Sequence, residues 1–394
     1  MEKHALDGIR VVELGGYIVG SLCATLLAEL GADVVKIESQ QGDGLRPQLG
    51  SFQGWNRGKR GIVVDLRTDE GRQILHQLVE RADVLVQNLR HGVAERWGAD
   101  YDTLSKLNPR LIYCAMPGYG QSGPYVDKPG FDPLLQARSG AMAAQGGRGN
   151  PPVFLRVPIS DNAGAMLGAY GVALALYQRE KTGKGQFLYG SLLDSSIAMQ
   201  SGEFVSFAGR PEEPRMDYWG IDATYRMYQT EDGWIFLGCK DDPSWLALCR
   251  AVGKEDLASD PRFDSLAERR KNATELASIL EPLFQSSPSQ KWLDLLEGID
   301  IPCAPVNFSR QLFDNPHVLE NDLTAEHESA DLGKLKQRGI VIKLSETPGI
   351  TQRAAPGLGQ HTDEVLGELG YSGEQIQGLR ERRVVMQRPQ EEQT

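Results

Sequence analysis

Ile9-Arg-Val-Val-Glu-Leu14, the apolar stretch Ser21 to Leu30 and Asp33-Val-Val-Lys-Ile37 together decide the fold class. Two strand-length runs rich in Val and Ile flank a segment of helical length, the signature of a βαβ unit and a parallel sheet. The alternation continues through Gly61 to Leu66, the helical pattern Glu70 to Arg81, and Asp83 to Val86. A further strand is expected over Leu111 to Ala115, leading into Pro117-Gly-Tyr-Gly-Gln-Ser-Gly-Pro124. That loop is too glycine-rich for a regular element and belongs at a strand end, where open α/β sheets place their ligands.

From Asp161 to about Glu180 the pattern is helical, with a face of Ala163, Gly164, Ala165, Gly168, Ala169 and Gly171. Each helical glycine costs about 1 kcal/mol relative to alanine, so this helix is expected to pack very closely against a neighbour. Thr182-Gly-Lys-Gly185 supplies the stop. The Pro- and charge-rich Gly209 to Arg215 marks a boundary. Beyond it come a strand over Gly233 to Gly238 and helices over Pro243 to Val252, Lys271 to Phe284 and Gln290 to Glu297, read as a smaller second domain closed by Pro302 to Val306. After Ile340 to Ile342, two capped helices follow, one after Gln360 and one opened by Ser372 with Gln375 completing a capping box. The tail from Arg388 is expected to be mobile.

Composition narrows the function. Of 394 residues, 42 are Lys or Arg and 53 Asp or Glu, a net charge of −11, and 40% are hydrophobic. A chain so apolar buries real cores and is neither disordered nor collagen-like. An acidic balance lacks the basic surface that broad nucleic-acid binding requires. Cys23, Cys114, Cys239, Cys249 and Cys303 are scattered and odd in number, which suggests neither a disulfide framework nor a zinc site and fits the reducing cytoplasm. The N-terminus has no apolar export segment, and the most apolar run, Gly164 to Tyr177, is shorter than the ~20 residues that span a bilayer. No membrane association, and no metal, is expected.

The turn Gly15-Gly-Tyr-Ile-Val-Gly20, with Glu38 closing the next strand, has the place of a nucleotide loop but the spacing of neither a dinucleotide fingerprint nor a P-loop. Hydrolase signatures are absent. Asn56-Arg-Gly-Lys-Arg60 puts three cations just before a strand, and Asn88 to Arg96 places more just after another. Each alone reads as a solvated turn. Their convergence on one sheet edge would suit a polyanion such as a nucleotide. Asp161, with Ser160 beside it, is either a helix N-cap or a carboxylate nucleophile with glycine and alanine leaving room for a bulky thioester; the residues alone leave both open.

Seven stretches in order resemble the family III CoA-transferases, the CaiB/BaiF family: Leu6 to Leu14, Leu26 to Glu38, Asn56 to Arg60, Asn108 to Tyr113, Gly118 to Tyr125, Lys181 to Gln186 and Leu358 to Asp363. The resemblance implies an α/β protein with a Rossmann-like large domain built from residues 1–208 and 326–394, an inserted smaller α+β domain over 217–325, and an interlocked homodimer. It implies transfer of CoA from an acyl-CoA to a carboxylic acid through a mixed anhydride and an aspartyl-CoA thioester. CoA is then a substrate and no cofactor is needed. Asp161 matches the catalytic aspartate. Asn88, Arg96, Trp97, Arg67 and Ser39 match CoA-binding positions. Because Ser39 replaces an arginine of some members, Lys59 and Arg60, with Arg57, are expected to serve the phosphates.

Tyr17, Ile18, Phe131 and Asp132 are expected at the substrate pocket. Ile18 stands where the formyl-CoA:oxalate members have glutamine, and their glycine-rich lid is not found between Phe207 and Tyr225. An acyl-CoA racemase of the same family is the alternative. Its Gly-His-Asp motif reads Gly130-Phe131-Asp132 here, and a phenyl ring moves no proton.

Overall fold

The computed structural model describes residues 3–147, 149–210, 219–329 and 331–387, folded as two compact units. The first comprises Met1–Ala141, Leu155–Val205 and Asn315–Thr394. Its sheet has six parallel strands: β1 (Arg10–Glu13), β2 (Asp33–Glu38), β3 (Arg60–Val64), β4 (Val84–Gln87), β5 (Ile112–Ala115) and β6 (Gln186–Tyr189). They lie in the order β3-β2-β1-β4-β5-β6, and Val385–Met386 adds an antiparallel edge beside β3.

Helices cover both faces, which is why the central strands are unbroken apolar runs. Successive residues point opposite ways. Val12, Val35, Ile62, Leu85 and Tyr113 join one apolar cluster, which includes residues of the helices Asp69–Glu80, Tyr101–Leu107, Thr362–Leu369 and Gly373–Glu381. Val11, Val34, Val84, Ile112 and Cys114 join the other, against the helices Val19–Ala28 and Ile159–Thr182. The chain order reverses at β1, whose neighbours are β2 and β4. That reversal opens the crevice at the carboxyl ends of the strands where such sheets bind ligands.

Ile159–Thr182 packs as its composition demands. A Cβ on Gly164 would come 3.0 Å from Val19, one on Gly168 3.1 Å from Cys23 Sγ, and one on Gly171 2.8 Å from Leu188. Gly183 then ends the helix at φ +70°. Gly373–Glu381 opens with the full Ser372/Gln375 capping box.

The second unit comprises Met142–Phe154 and Ser206–Asp314. Its antiparallel sheet runs in the order β10 (Cys303–Pro305), β9 (Trp234–Gly238), β8 (Tyr225–Gln229), β7 (Gly220–Asp222). Tyr228, Ile235, Leu237, Trp245, Phe284 and Trp292 form its core with the helices Asp242–Ala251, Ala273–Gln285 and Ser289–Glu297. These bounds differ from the expected 217–325: residues 315–325 lie with the first unit, and so does a hairpin, Thr324–Ser329 with Gly333–Arg338, that sequence patterning does not announce. Residues 211–215 of the expected boundary, residues 211–218 of the stretch between Phe207 and Tyr225, and the tail from Arg388 lie outside the described residues.

Candidate active site

The parallel sheet collects the loops that follow its strands on one edge. Gly15 to Tyr17 follow β1, Ser39 and Asp43 follow β2, Arg67 follows β3, and Asn88, Arg90 and Arg96 follow β4. Asn88 ties the crevice together: its Oδ1 accepts the Gly16 N–H at 2.9 Å and its Nδ2 donates to Gly16 O at 2.8 Å. The side chain expected to bind CoA thus also holds the first turn.

Asp161 stands in the first turn of Ile159–Thr182, whose N-cap is Pro158. The capping role open to Asp161 in the sequence is therefore not the one it takes. Instead Asp132 Oδ2, at the head of the helix Asp132–Arg138, accepts the backbone N–H groups of Ser160 at 2.8 Å and Asp161 at 3.2 Å. Asp132 is held by the Gln136 amide, which donates to its other oxygen. Ser196 Oγ donates to Ser160 Oγ at 2.7 Å, and Ser195 Oγ to Ser160 O at 3.0 Å.

The Asp161 side chain is 8% exposed and takes no hydrogen bond from any described residue. Burial, and then the nearby Asp132 charge, push its carboxyl up to about 7. A desolvated, unpaired carboxylate is a far better nucleophile than one solvated in water. Asp132 reaches its place through a glycine contact: a Cβ on Gly118 would stand 2.8 Å from Gly130 Cα, so the strand-end loop and the Gly130-Phe-Asp132 segment touch backbone to backbone.

Phe131, next in the chain to Asp132, meets the Tyr17 ring edge to face at 6.2 Å. Arg90 lies over the Phe131 ring at 6.0 Å. Ile18 turns inward, packing on Leu45, Phe52 and Ala355. Ser39 is exposed at its strand end. Arg67 is exposed and pairs with Asp65 at 2.7 Å. Arg96 is exposed and makes no ion pair among the described residues, while Trp97 beside it packs half-buried on the core.

Three expected phosphate ligands are corrected. Lys59 is fully buried; its ammonium meets Glu13 Oε2 at 2.7 Å, Ser21 O at 2.7 Å and Asn56 Oδ1 at 2.9 Å, leaving no N–H for a ligand. Arg60 opens β3 at the opposite edge of the sheet and is ringed by Asp33, Glu364 and Glu368 at 2.6 to 3.0 Å, a setting that repels a phosphate. Arg57 is likewise buried on Glu29 at 2.6 Å. Arg90, not singled out in the sequence, is placed by the same post-strand loop as Asn88 and Arg96.

Residues 6–362 match the family model described as CoA-transferase family III. The chain is 36% identical to the succinyl-CoA–L-malate CoA-transferase beta subunit of Chloroflexus aurantiacus, over 96% of this chain and 98% of that one. It is 32% identical to the human succinyl-CoA:glutarate CoA-transferase, over 92% and 86%. A CaiB/BaiF family protein from Brucella suis superposes with a TM-score of 0.85 at 29% identity, covering 93% of this chain and 100% of that one.

Proposed function

The chain belongs to CoA-transferase family III and is a CoA-transferase, and we propose that it moves CoA between dicarboxylic acids through covalent catalysis on Asp161. The observation that carries the mechanism is the buried, unpartnered Asp161 carboxylate. Its oxygen attacks the thioester carbonyl of the donor, forming a mixed anhydride and expelling the CoA thiolate. The thiolate attacks the Asp161 carbonyl of that anhydride, forming an aspartyl-CoA thioester and releasing the donor acid. The acceptor carboxylate attacks this thioester, and the returning thiolate takes the acceptor's acyl group and frees Asp161. The thioester's energy stays in covalent form throughout. The backbone contacts of Asp132 fix the turn that carries the nucleophile.

The dicarboxylate class is drawn from the named substrates of the relatives, with succinyl-CoA as donor. CoA itself is expected along Ser39, Arg67, Asn88, Arg90 and Arg96, with Trp97 toward the adenine, and the reaction as drawn uses no further cofactor. An interlocked homodimer with the second unit as an inserted domain suits the apolar outer face of Ile159–Thr182. The cytoplasm suits the five unpaired cysteines, and no helix among the described residues is long and apolar enough to cross a membrane.

Incubation with succinyl-CoA and hydroxylamine, followed by peptide mass spectrometry, is expected to give a hydroxamate at Asp161 and an inactive enzyme. Turnover that continues with Asp161 unmodified refutes the covalent scheme. Asp161→Asn is expected to lose at least ~10³-fold in kcat, as loss of a nucleophile does.

A further inference from the structure

An ionic chain buried beneath the first strand-to-helix turn is not used by the mechanism. The Lys36 ammonium, fully buried, meets Glu13 Oε1 at 2.7 Å, Asp43 Oδ2 at 3.0 Å, Gly15 O at 2.8 Å and Ser21 Oγ at 3.1 Å. Lys59 takes the other Glu13 oxygen. Buried charges of this kind are costly to desolvate, and apolar residues of similar volume are often as stabilising, so stability alone explains such a chain poorly.

Its outer end meets the site. Asp43 Oδ1 accepts the N–H of Tyr17 at 3.1 Å and of Leu45 at 2.9 Å. Tyr17 sits at φ +59°, a left-handed conformation that a bulky side chain keeps only when its surroundings impose it. The hydroxyl end of its ring touches the next loop, since a Cβ on Gly44 would stand 2.7 Å from Tyr17 Cζ. Although pinned on that side, the side chain is 51% exposed, so the strain does not serve the core. The other neighbour is Phe131, joined directly to Asp132, while Val19, two residues beyond Tyr17, touches the helix one turn after Asp161.

We propose that Asp43, locked by Lys36, is a positioning residue for the transfer: it pins Tyr17 so that the Tyr17 and Phe131 rings wall the Asp161 carboxylate against water. This rests on Asp161 carrying the intermediate. An aspartyl thioester open to water would hydrolyse instead of meeting the acceptor, so the device governs partition more than CoA binding.

The test compares Asp43→Ala, Tyr17→Gly and the double variant, with succinyl-CoA as donor and isotopically labelled succinate as acceptor. The readout is the ratio of free CoA released to label incorporated. Each single variant is expected to raise that ratio about ten-fold, with the KM for succinyl-CoA changed less than about two-fold, and the double variant to add nothing further. Hydrogen exchange at the Tyr17 amide, which needs no turnover, is expected to lose protection in Asp43→Ala. Additive effects, or unchanged protection, overturn the proposal. Glycine adopts φ +59° without strain, so Tyr17→Gly decides the matter even if Asp43→Ala does not fold, and a wild-type ratio there also overturns it. Hydroxylamine that leaves Asp161 untouched sinks the covalent scheme and the positioning with it, whereas a wild-type ratio in Tyr17→Gly with Asp161 still modified overturns the positioning alone.

Discussion

At the residue scale, the proposed nucleophile Asp161 is expected to couple activity to stability. With its carboxyl raised to about 7, kcat/KM should climb as pH rises through that value, because only the ionised form attacks. Stability moves the other way. The folded carboxyl holds its proton more tightly than an unfolded one near 3.9, so unfolding free energy falls as pH rises from about 4 to about 7 and levels off above it. Asp161→Asn should therefore be the more stable protein at pH 8, by up to about 4 kcal/mol at 1.36 kcal/mol per unit, and no more stable at pH 4. Thermal melts at the two pH values check the sign, and a variant less stable at pH 8 refutes the account. Asp132→Asn removes the neighbouring negative charge and should shift the activity profile toward acid. The sequence exposed Asp161 as a candidate but could not remove the capping role, because that depends on Pro158 taking the cap. It misassigned Lys59 and Arg60 for a related reason. A run of cations does not say which acids fold onto it, and here Glu13, Asp33, Glu364 and Glu368 arrive from distant positions.

At the element scale, two glycine contacts place the site. Gly118 and Gly130 meet at backbone distance, so Gly118→Ala must displace the segment carrying Phe131 and Asp132, and with it the carboxylate that accepts the Ser160 and Asp161 N–H groups. It should lower kcat about ten-fold or more while KM for the acyl-CoA changes little; an unchanged kcat would show that the contact is incidental. Gly168→Val drives a branched side chain into Cys23 and Met116 and should cost about 1–3 kcal/mol of overpacking, read as a lower melting temperature. The small-residue face announced this packing in the sequence, as the Val/Ile runs announced the parallel strands. β6 was hidden, because Gln186-Phe-Leu-Tyr189 is an edge strand with no buried face. The hairpin Thr324–Ser329 with Gly333–Arg338 was hidden too, being mostly polar and only partly buried.

At the scale of the whole molecule, the long helix has two faces and the first unit uses one. Its small residues pack inward, while Met166, Tyr170, Leu174 and Tyr177 follow one another at helical spacing on the outside, Tyr170 and Tyr177 each 63% exposed. Phe187 and Tyr189 of β6 and Met199 add further apolar surface to the same unit. A chain of net charge −11 leaves such a stripe bare only at the risk of aggregation, and contiguous apolar patches of this kind mark interfaces. A second copy is the occupant proposed above, and at about 25 cal/mol per Å² its coverage of several large side chains provides the driving force. Tyr170→Glu with Leu174→Glu places two carboxylates in that stripe, where each must be desolvated on association. Both side chains point away from the core, so the helix should survive. Sedimentation is expected to show a dimeric wild type and a dissociation constant raised at least ~10²-fold in the variant, a change of about 3 kcal/mol. If the two chains are threaded through one another, the variant should fold less efficiently as well as dissociate, since separation then needs partial unfolding. A monomeric wild type, or a variant that dimerises as tightly, assigns the stripe to some other partner. The order of loss also carries information. Transfer activity that falls in step with the dimer fraction across a dilution series makes the second subunit part of the working site, whereas activity that persists in the monomer confines catalysis to the Asp161 crevice of one chain.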